Sequence, residues 1–529
     1  MAQNRFTSSL IAALDQGTSS TRFCVFDSNN YQVIAHHQIE INKIFPREGW
    51  VEQDPIAIIK SIENCVENVI EKLISLKIHS NNIAAVGISS QRESVLAWDK
   101  ITGKPLHNSI VWQDNRTTEI VGSILDAIPS RDINFFKSKT GLPISTYFSA
   151  FKIKWLINNV PEIKQALQNG RLLVGTMDSW ILWNLIGEHA TDVTNASRTF
   201  LMNIETLEWD KSLCDFFCIP LNILPKIKSS GQVYGKIKNG LLNGVPIASV
   251  IGDQHASLVE LPKGQIKATY GTGCFIMQNV GNKTDAIDFM NKETQTSLIT
   301  TIAFQLENQP PYYAVEGSVA MAGAIMTWLR DNAELLNDYF QIEPLANQVP
   351  HSGGVFFVPA FQGLFAPQWD PNATGVIIGL TQHTRKPHII RSSLEGIAFQ
   401  TNDIISLMKI NSDGIRVDGG LSSSNLLCQM LADISGLKIF RPKNIELALL
   451  GAAKLAGYTM GITPLNYLTF NNSYDVKTKH NENKTNDKIP INLMRQIDTN
   501  SNIFSNYEIF MTKVDANERK SKMNKWNSA

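Results

Sequence analysis

The stretch Leu10-Ile-Ala-Ala-Leu-Asp15-Gln-Gly17-Thr-Ser-Ser-Thr-Arg22-Phe-Cys-Val-Phe-Asp27 combines an apolar run, a small polar turn and a second run of alternating character. Short apolar runs around a Gly-containing turn predict a β-hairpin. Gly17 lets the backbone approach a ligand closely. The hydroxyls of Thr18, Ser19, Ser20 and Thr21, with exposed backbone N–H groups, are neutral donors for anionic oxygens. Asp15 ends the first run and Arg22 begins the second, a carboxylate for a metal and a cation for a polyphosphate. The same residues also suit a solvated, Ser/Thr-rich turn, so the rest of the chain has to decide.

At 529 residues the chain exceeds what one core serves, and at least two domains are expected. The 43% hydrophobic content allows large cores. A net charge of +0 gives no electrostatic footprint for nucleic acid or an anionic membrane. The six cysteines are scattered, which disfavours a zinc site or disulfide framework and fits a reducing cytosol. The N-terminus lacks a signal-peptide pattern, and no apolar run approaches the about 18 residues of a membrane span. A cytoplasmic protein is expected.

Downstream, Asp54-Pro55 is a helix start, and Ile56, Ile59, Ile62, Val66, Val69 and Leu73 recur at helical spacing to about Leu76. A strand Ile83–Ile88 leads into Ser89-Ser-Gln-Arg92-Glu93, and another runs Val95–Asp99. Strands alternating with helices predict an α/β sheet, whose ligands collect at strand C-terminal ends. Arg92-Glu93 then sits where a site belongs. Adjacent donor and acceptor side chains can grip a polyol, or form a surface ion pair. Trp112 follows a β-branched run and suits either core or a pocket wall; Tyr147 precedes Ser149, a candidate helix cap. An apolar strand Pro246–Ile251 runs into Gly252-Asp253-Gln254. A carboxylate there can accept a proton from a hydroxyl, a role typically contributing ~10²–10⁴ in rate, or simply cap a helix. His255 is read as structural.

Lys267-Ala-Thr-Tyr-Gly271-Thr272-Gly273-Cys-Phe275 repeats the shape of the opening hairpin, which suggests duplication at domain scale. From Glu316 to Leu329 the chain reads as one helix rich in small residues. Ile415-Arg-Val-Asp418-Gly-Gly420 is a strand ending ahead of a helix near Asn425, either an ordinary βα turn or a seat for a nucleotide. Gly451–Gly457 is a close-packing helix. From Tyr474 to Ala529 the composition is polar and a mostly disordered tail is expected, in which Asn492-Leu-Met-Arg-Gln and Phe510-Met-Thr are candidate docking elements, each a strand or short helix.

These segments, in this order, resemble the FGGY carbohydrate kinases, closest to the branch that phosphorylates glycerol. The resemblance rests on Leu-Asp-Gln-Gly-Thr-Ser-Ser-Thr-Arg22, Gly-Trp-Val-Glu-Gln-Asp-Pro55, Ser-Gln-Arg-Glu93, Lys-Ile-Thr-Gly-Lys-Pro105, Val-Trp-Gln-Asp-Asn-Arg-Thr117, Gly-Asp-Gln254, Thr-Tyr-Gly-Thr-Gly-Cys-Phe275, Arg-Val-Asp-Gly-Gly420 and Leu-Gly-Ala-Ala453. Gly379-Leu380, His388-Ile389 and Ser392-Ser-Leu-Glu395 resemble the family's C-terminal signature. The match covers residues 9 to 462, and the opening stretch is most similar to eukaryotic members.

The resemblance implies two ribonuclease H-like domains of the actin and hexokinase type around a central cleft, a glycerol and phosphate side over 9–260 and a nucleotide side over 261–465, followed by the tail 474–529. It implies ATP-dependent phosphorylation of glycerol to sn-glycerol 3-phosphate, with Asp253 as base. Arg92, Glu93, Tyr147, Asp253 and Gln254 are implied glycerol ligands, with Trp112 and Phe275 as apolar wall. Thr18, Ser19, Ser20, Arg22 and Thr272 are implied phosphate contacts, and Gly323, Thr327, Gly420 and Ser424 nucleotide contacts. Asp15 is implied to hold Mg²⁺ through water, and the chain to form a dimer or tetramer. Ser424 stands where Asn is common, His255 where Gln is. A kinase for another polyol or a pentulose, and a non-catalytic ATP-binding scaffold, are the competing expectations.

Overall fold

The computed structural model describes residues 9–529 apart from 291–296, 362, 371, 409–413, 444–445, 465–467 and 469–506. It contains two compact units interleaved along the chain. The first takes residues 9–263, 277–317 and 447–468, and the second 264–276, 318–446 and the C-terminal residues. Segments 277–317 and 447–468 thus cross the boundary expected at 260.

The first unit is built on the predicted hairpin. Leu10–Gln16 pairs antiparallel with Ser20–Asp27, Asp15 opposite Arg22, and parallel with Ile83–Ser90. Pro246–Gly252 adds on the far side of Ile83–Ser90, again parallel. Gly235–Lys236 and Val33–Glu40 form the edges. Every residue of Leu10–Gln16 is buried, because both faces of the sheet are covered. Leu10, Ala12 and Leu14 join a core with Ile58, Ile62, Val69 and Leu73 of the helix Pro55–Ser75. That helix starts as predicted, with the Asp54 carboxylate accepting from Ile56 N at 2.8 Å and Pro55 at the first position. Burial of each large aliphatic side chain contributes about 1.5–3 kcal/mol.

The opposite face is covered by helix Leu447–Thr459, whose small residues let it lie close. A Cβ on Gly87 would meet Ala452 O at 2.2 Å, and one on Gly451 would meet Ala256 O at 1.9 Å. The three parallel strands end at the same edge of the sheet, with Asp15 level with Ser89 and Gly252 level with Ser90. That alignment sets the site.

Two expectations need correcting here. Glu316 does not open a helix: Tyr312–Val319 is a strand, paired antiparallel with Ile299–Phe304, and the helix begins only at Gly323. β-branched and aromatic residues (Tyr312-Tyr-Ala-Val) outweigh the small residues that follow. Ser149 does not cap its helix either; its hydroxyl donates to Glu93 O at 3.1 Å.

In the second unit Ile266–Tyr270 pairs parallel with Gly414–Asp418, which pairs parallel with Lys438–Pro442. Helices Gly323–Asp331, Lys386–Ile405 and Asn425–Ser435 belong to it. Disorder, expected for most of the tail, does not extend to its last residues, where Phe510 docks as the sequence suggested. Tyr507–Phe510 is a strand pairing antiparallel with Lys438–Pro442, and Ala516–Ser528 is a helix. Trp526 anchors that helix, stacked on Phe399 (5.0 Å, 11°) with Nε1 donating to Asp403 Oδ2 at 2.9 Å. A polar average over the segment hides such single aromatic anchors. Residues 474–506 lie outside the described residues. Among the described residues no helix is long and apolar enough to cross a membrane.

Candidate active site

Arg92, Glu93 and Asp253 meet at the ends of two neighbouring parallel strands. Asp253 follows Gly252 as the first residue of a short helix, Asp253–Ala256. Gly252 is required there, since a Cβ would meet Arg92 Cγ at 2.8 Å and His255 Nδ1 at 3.0 Å. Arg92 Nε consequently lies 3.5 Å from Asp253 Oδ1. Glu93 holds a left-handed backbone, φ 62°, uncommon for a residue with a Cβ and a mark of strained functional positions.

Two further charged residues complete the cluster. Glu316 accepts from Arg92 Nη1 at 2.6 Å and from Arg198 Nη2 at 3.1 Å. Arg198 Nε donates to Glu93 Oε1 at 2.5 Å. Side chains of Arg92, Arg198, Glu93 and Glu316 are at most 2% exposed, whereas Asp253 is 22% exposed. Two guanidinium cations against three carboxylates leave a net negative centre, with its accessible end at Asp253. Burial works against the charge on Arg92, but Glu316 and Glu93 outweigh it and hold its proton firmly. Burial pushes the Glu93 carboxyl up while Arg198 and Arg92 pull it back. Arg198 Nη1 is buried with no hydrogen-bond partner among the described residues, and such a donor needs a water or a ligand.

Aromatic rings adjoin this centre. Trp112 and Tyr147 pack edge-to-face, centroids 5.7 Å apart, and the Arg198 guanidinium lies 5.5 Å from the Tyr147 ring. Tyr147 is buried, and burial, then the Glu93 charge, keeps its hydroxyl protonated. Lys152 Nζ donates to the carbonyls of Thr146 and Tyr147 at 2.8 and 2.6 Å. Burial, against the opposing pull of Asp114 and Glu93, lowers that ammonium to about 8. The Trp112 indole N–H donates to Thr18 Oγ1 at 2.9 Å, so the opening turn and the aromatic wall are joined. Gln254 is buried beside Asp253, its backbone N donating to Asp253 Oδ1 at 2.7 Å. His255 is buried against Thr301, its ring nitrogen 3.4 Å from that hydroxyl.

In the opening turn Gly17 N donates to Ser20 O at 2.9 Å, Ser19 is exposed and Ser20 buried. Asp15 is 4% exposed, accepts from Ser89 Oγ at 2.9 Å and lies 3.7 Å from Arg22. Among the described residues no three His, Cys, Asp or Glu gather around a metal position. Asp15 is a hard carboxylate of the kind Mg²⁺ takes as a ligand, and that ion arrives on phosphates and keeps several waters.

The second unit carries the remaining expected residues. The turn Gly271–Gly273 closes on itself, Gly271 N to Gly273 O at 2.9 Å, and receives the start of helix Gly323–Asp331, with Ala322 N and Ala324 N donating to Thr272 O. A Cβ on Gly323 would meet Gly271 O at 2.6 Å. Gly419, φ +84°, backs onto Tyr270, while a Cβ on Gly420 would face open space. Phe275 is buried in its strand; Thr327 is exposed and bonds the Tyr339 hydroxyl. Ser424 caps helix Asn425–Ser435, accepting from Leu427 N and donating to Glu343 Oε1 at 3.0 Å.

Sequence reasoning missed Arg198 and Glu316. An ionisable residue inside the apolar strand Tyr-Tyr-Ala-Val-Glu316 was the available signal, because a charge is buried only with a partner.

Residues 10–259 and 266–460 match, respectively, the N-terminal and C-terminal domains of the FGGY family of carbohydrate kinases. A glycerol kinase of Nocardia farcinica is 44% identical over 464 residues, covering 85% of this chain and 90% of that protein. The crystal structure of Plasmodium falciparum glycerol kinase with ADP superposes with a TM-score of 0.80 at 35% identity, over 98% of this chain and 97% of that one. A ligand-bound xylulose kinase from Lactobacillus acidophilus shares the fold, with a TM-score of 0.74 at 22% identity over 98% of this chain and 96% of that one.

Proposed function

Because the chain belongs to the FGGY family of carbohydrate kinases, we propose that it transfers the terminal phosphoryl group of ATP to glycerol, giving sn-glycerol 3-phosphate. The observation that carries this reading is the buried cluster of Arg92, Glu93, Arg198 and Glu316 with Asp253 as its accessible end, walled by Trp112 and Tyr147. Paired donors and acceptors suit vicinal hydroxyls, and aromatic faces suit a short carbon chain.

Arg92, Glu93, Tyr147 and Gln254 orient the triol, with Phe275 joining the wall. Phosphoryl transfer needs alignment and charge neutralisation more than covalent help. Asp253 takes the proton of the attacking hydroxyl. Arg92 Nε lies 3.5 Å from that carboxylate and holds it in place. Thr18, Ser19, Ser20, Arg22 and Thr272 hold phosphate oxygens; Gly323, Thr327 and Gly420 hold the nucleoside part. Ser424 contributes as the cap that shapes its turn. Asp15 would hold the Mg²⁺ that accompanies ATP, an ion that supplies charge neutralisation on the phosphate oxygens. We assign the glycerol side to the first unit, which includes Glu316, and the nucleoside side to the second.

A substrate panel tests the choice of acceptor. Glycerol should give the highest kcat/KM among glycerol, dihydroxyacetone, xylulose and gluconate. Faster turnover of a sugar would transfer the assignment to a sister kinase, and no turnover with intact ATP binding would leave a scaffold.

A further inference from the structure

Gly420, assigned above to the nucleotide side, opens a short 3-10 turn, Gly420–Ser423, and Ser424 joins that turn to helix Asn425–Ser435. The last carbonyls of such a turn need donors from outside it. Arg441 supplies them: Nη1 donates to Ser422 O at 2.9 Å and Ser423 O at 2.8 Å, and Nη2 donates to Asn425 Oδ1 at 2.6 Å. One guanidinium therefore fixes three consecutive parts of this loop from a strand, Lys438–Pro442, that is itself held in the sheet.

Arg441 is 9% exposed, so its charge needs a counter-charge. Glu508 provides it, accepting from Nε at 2.8 Å and also from Nη2. Glu508 stands directly opposite Arg441 in the antiparallel pairing of Tyr507–Phe510 with Lys438–Pro442. Phe510 shields the guanidinium, with its ring centroid 5.0 Å away. The pairing extends through helix Ala516–Ser528, whose Trp526 is anchored on Phe399 and Asp403. Glu508, Phe510 and Trp526 fall beyond the family match, which ends at 460.

We propose that the C-terminal strand is a clip on the nucleotide loop: Glu508 holds Arg441, and Arg441 holds the backbone of residues 422–425 in the form that receives a nucleoside polyphosphate. Both are positioning residues and act through the loop. The inference rests on the phosphoryl-transfer reading above. It locates part of the nucleotide affinity in a segment of polar average composition. Preorganisation of this kind raises affinity by removing ordering costs on binding.

The test is a calorimetric titration of MgADP into the full chain and into Glu508→Gln, Glu508→Asp and Arg441→Met, with KM for glycerol measured in parallel at saturating ATP. Glu508→Gln is the mild variant, because that side chain is 56% exposed. Glu508→Gln and Arg441→Met are expected to weaken MgADP binding by roughly five- to tenfold, about the effect of losing one charged contact. Glu508→Asp should restore most of the affinity, and KM for glycerol should stay within about twofold. Unchanged MgADP affinity in both variants, or equal losses for MgADP and glycerol, would overturn the clip. Failure of the unmodified chain to bind MgADP would instead overturn the kinase reading, and the clip with it.

Discussion

Arg92 Nη1 lies 2.6 Å from Glu316 Oε2 in a pair whose side chains are 2% and 0% exposed. Glu316 also accepts from Arg198, so one carboxylate sets the orientation of both guanidinium groups of the buried cluster. Removing a member of a buried charge pair leaves its partner uncompensated. Glu316→Gln should lower kcat/KM for glycerol by about 2–4 kcal/mol, roughly 30- to 1000-fold, with nucleotide affinity little changed. Steady-state kinetics with each substrate varied separately checks this; a loss confined to ATP would contradict it.

Trp112 and Thr18 form a second link. The indole N–H to Thr18 Oγ1 hydrogen bond ties the aromatic wall to the opening turn. Trp112→Phe and Thr18→Val should each cost about 1 kcal/mol in kcat/KM, and the double variant about the same as either one. Fully additive losses would show that the bond has no functional part.

Lys152 yields a pH dependence. Burial lowers its ammonium from 10.5 to about 8. The folded chain gives up this proton more readily than the unfolded chain. Between pH 8 and 10.5 the unfolded state therefore binds more protons, and the contribution of this group to stability rises with pH. Below pH 8 both states are charged and the burial penalty is constant. The stability difference between the unmodified chain and Lys152→Met, from denaturant unfolding, should shift in favour of the unmodified chain from pH 7.5 to pH 10. A flat difference would contradict it.

Asp15 is the proposed metal-side carboxylate. Asp15→Asn should raise the Mg²⁺ concentration needed for half-maximal rate by roughly tenfold, the effect of one lost charged contact of about 1.5 kcal/mol. An unchanged Mg²⁺ titration would place the metal elsewhere.

The sequence carried the parts of this fold that depend on local pattern. The opening hairpin, the Asp54-capped helix and the strands leading to Arg92 and Asp253 each have a period or a cap that can be read directly. What stayed hidden depends on distance in the chain. Arg198 sits in a polar loop and Glu316 in an apolar strand, and only the folded sheet brings both to Arg92. Of the C-terminal strand only Phe510 was legible, as part of a docking element, and the rest and the helix were masked by polar neighbours, because Trp526 and Glu508 are single residues whose partners, Phe399, Asp403 and Arg441, lie far upstream. The helix expected from Glu316 failed because small residues after it resembled a packed helix while the aromatic residues before it continued a strand.

Asp253 is the most accessible of the three acidic side chains in the cluster and is held 3.5 Å from Arg92. The most direct test is glycerol-dependent ADP formation by the unmodified chain and by Asp253→Asn, with MgADP affinity measured on both. The unmodified chain should produce ADP only with an acceptor present and most rapidly with glycerol, while Asp253→Asn should lose about 10²–10⁴ in kcat and still bind MgADP. An Asp253→Asn enzyme as fast as the unmodified chain, or no glycerol-dependent ADP from a chain that binds MgADP, would contradict the assignment.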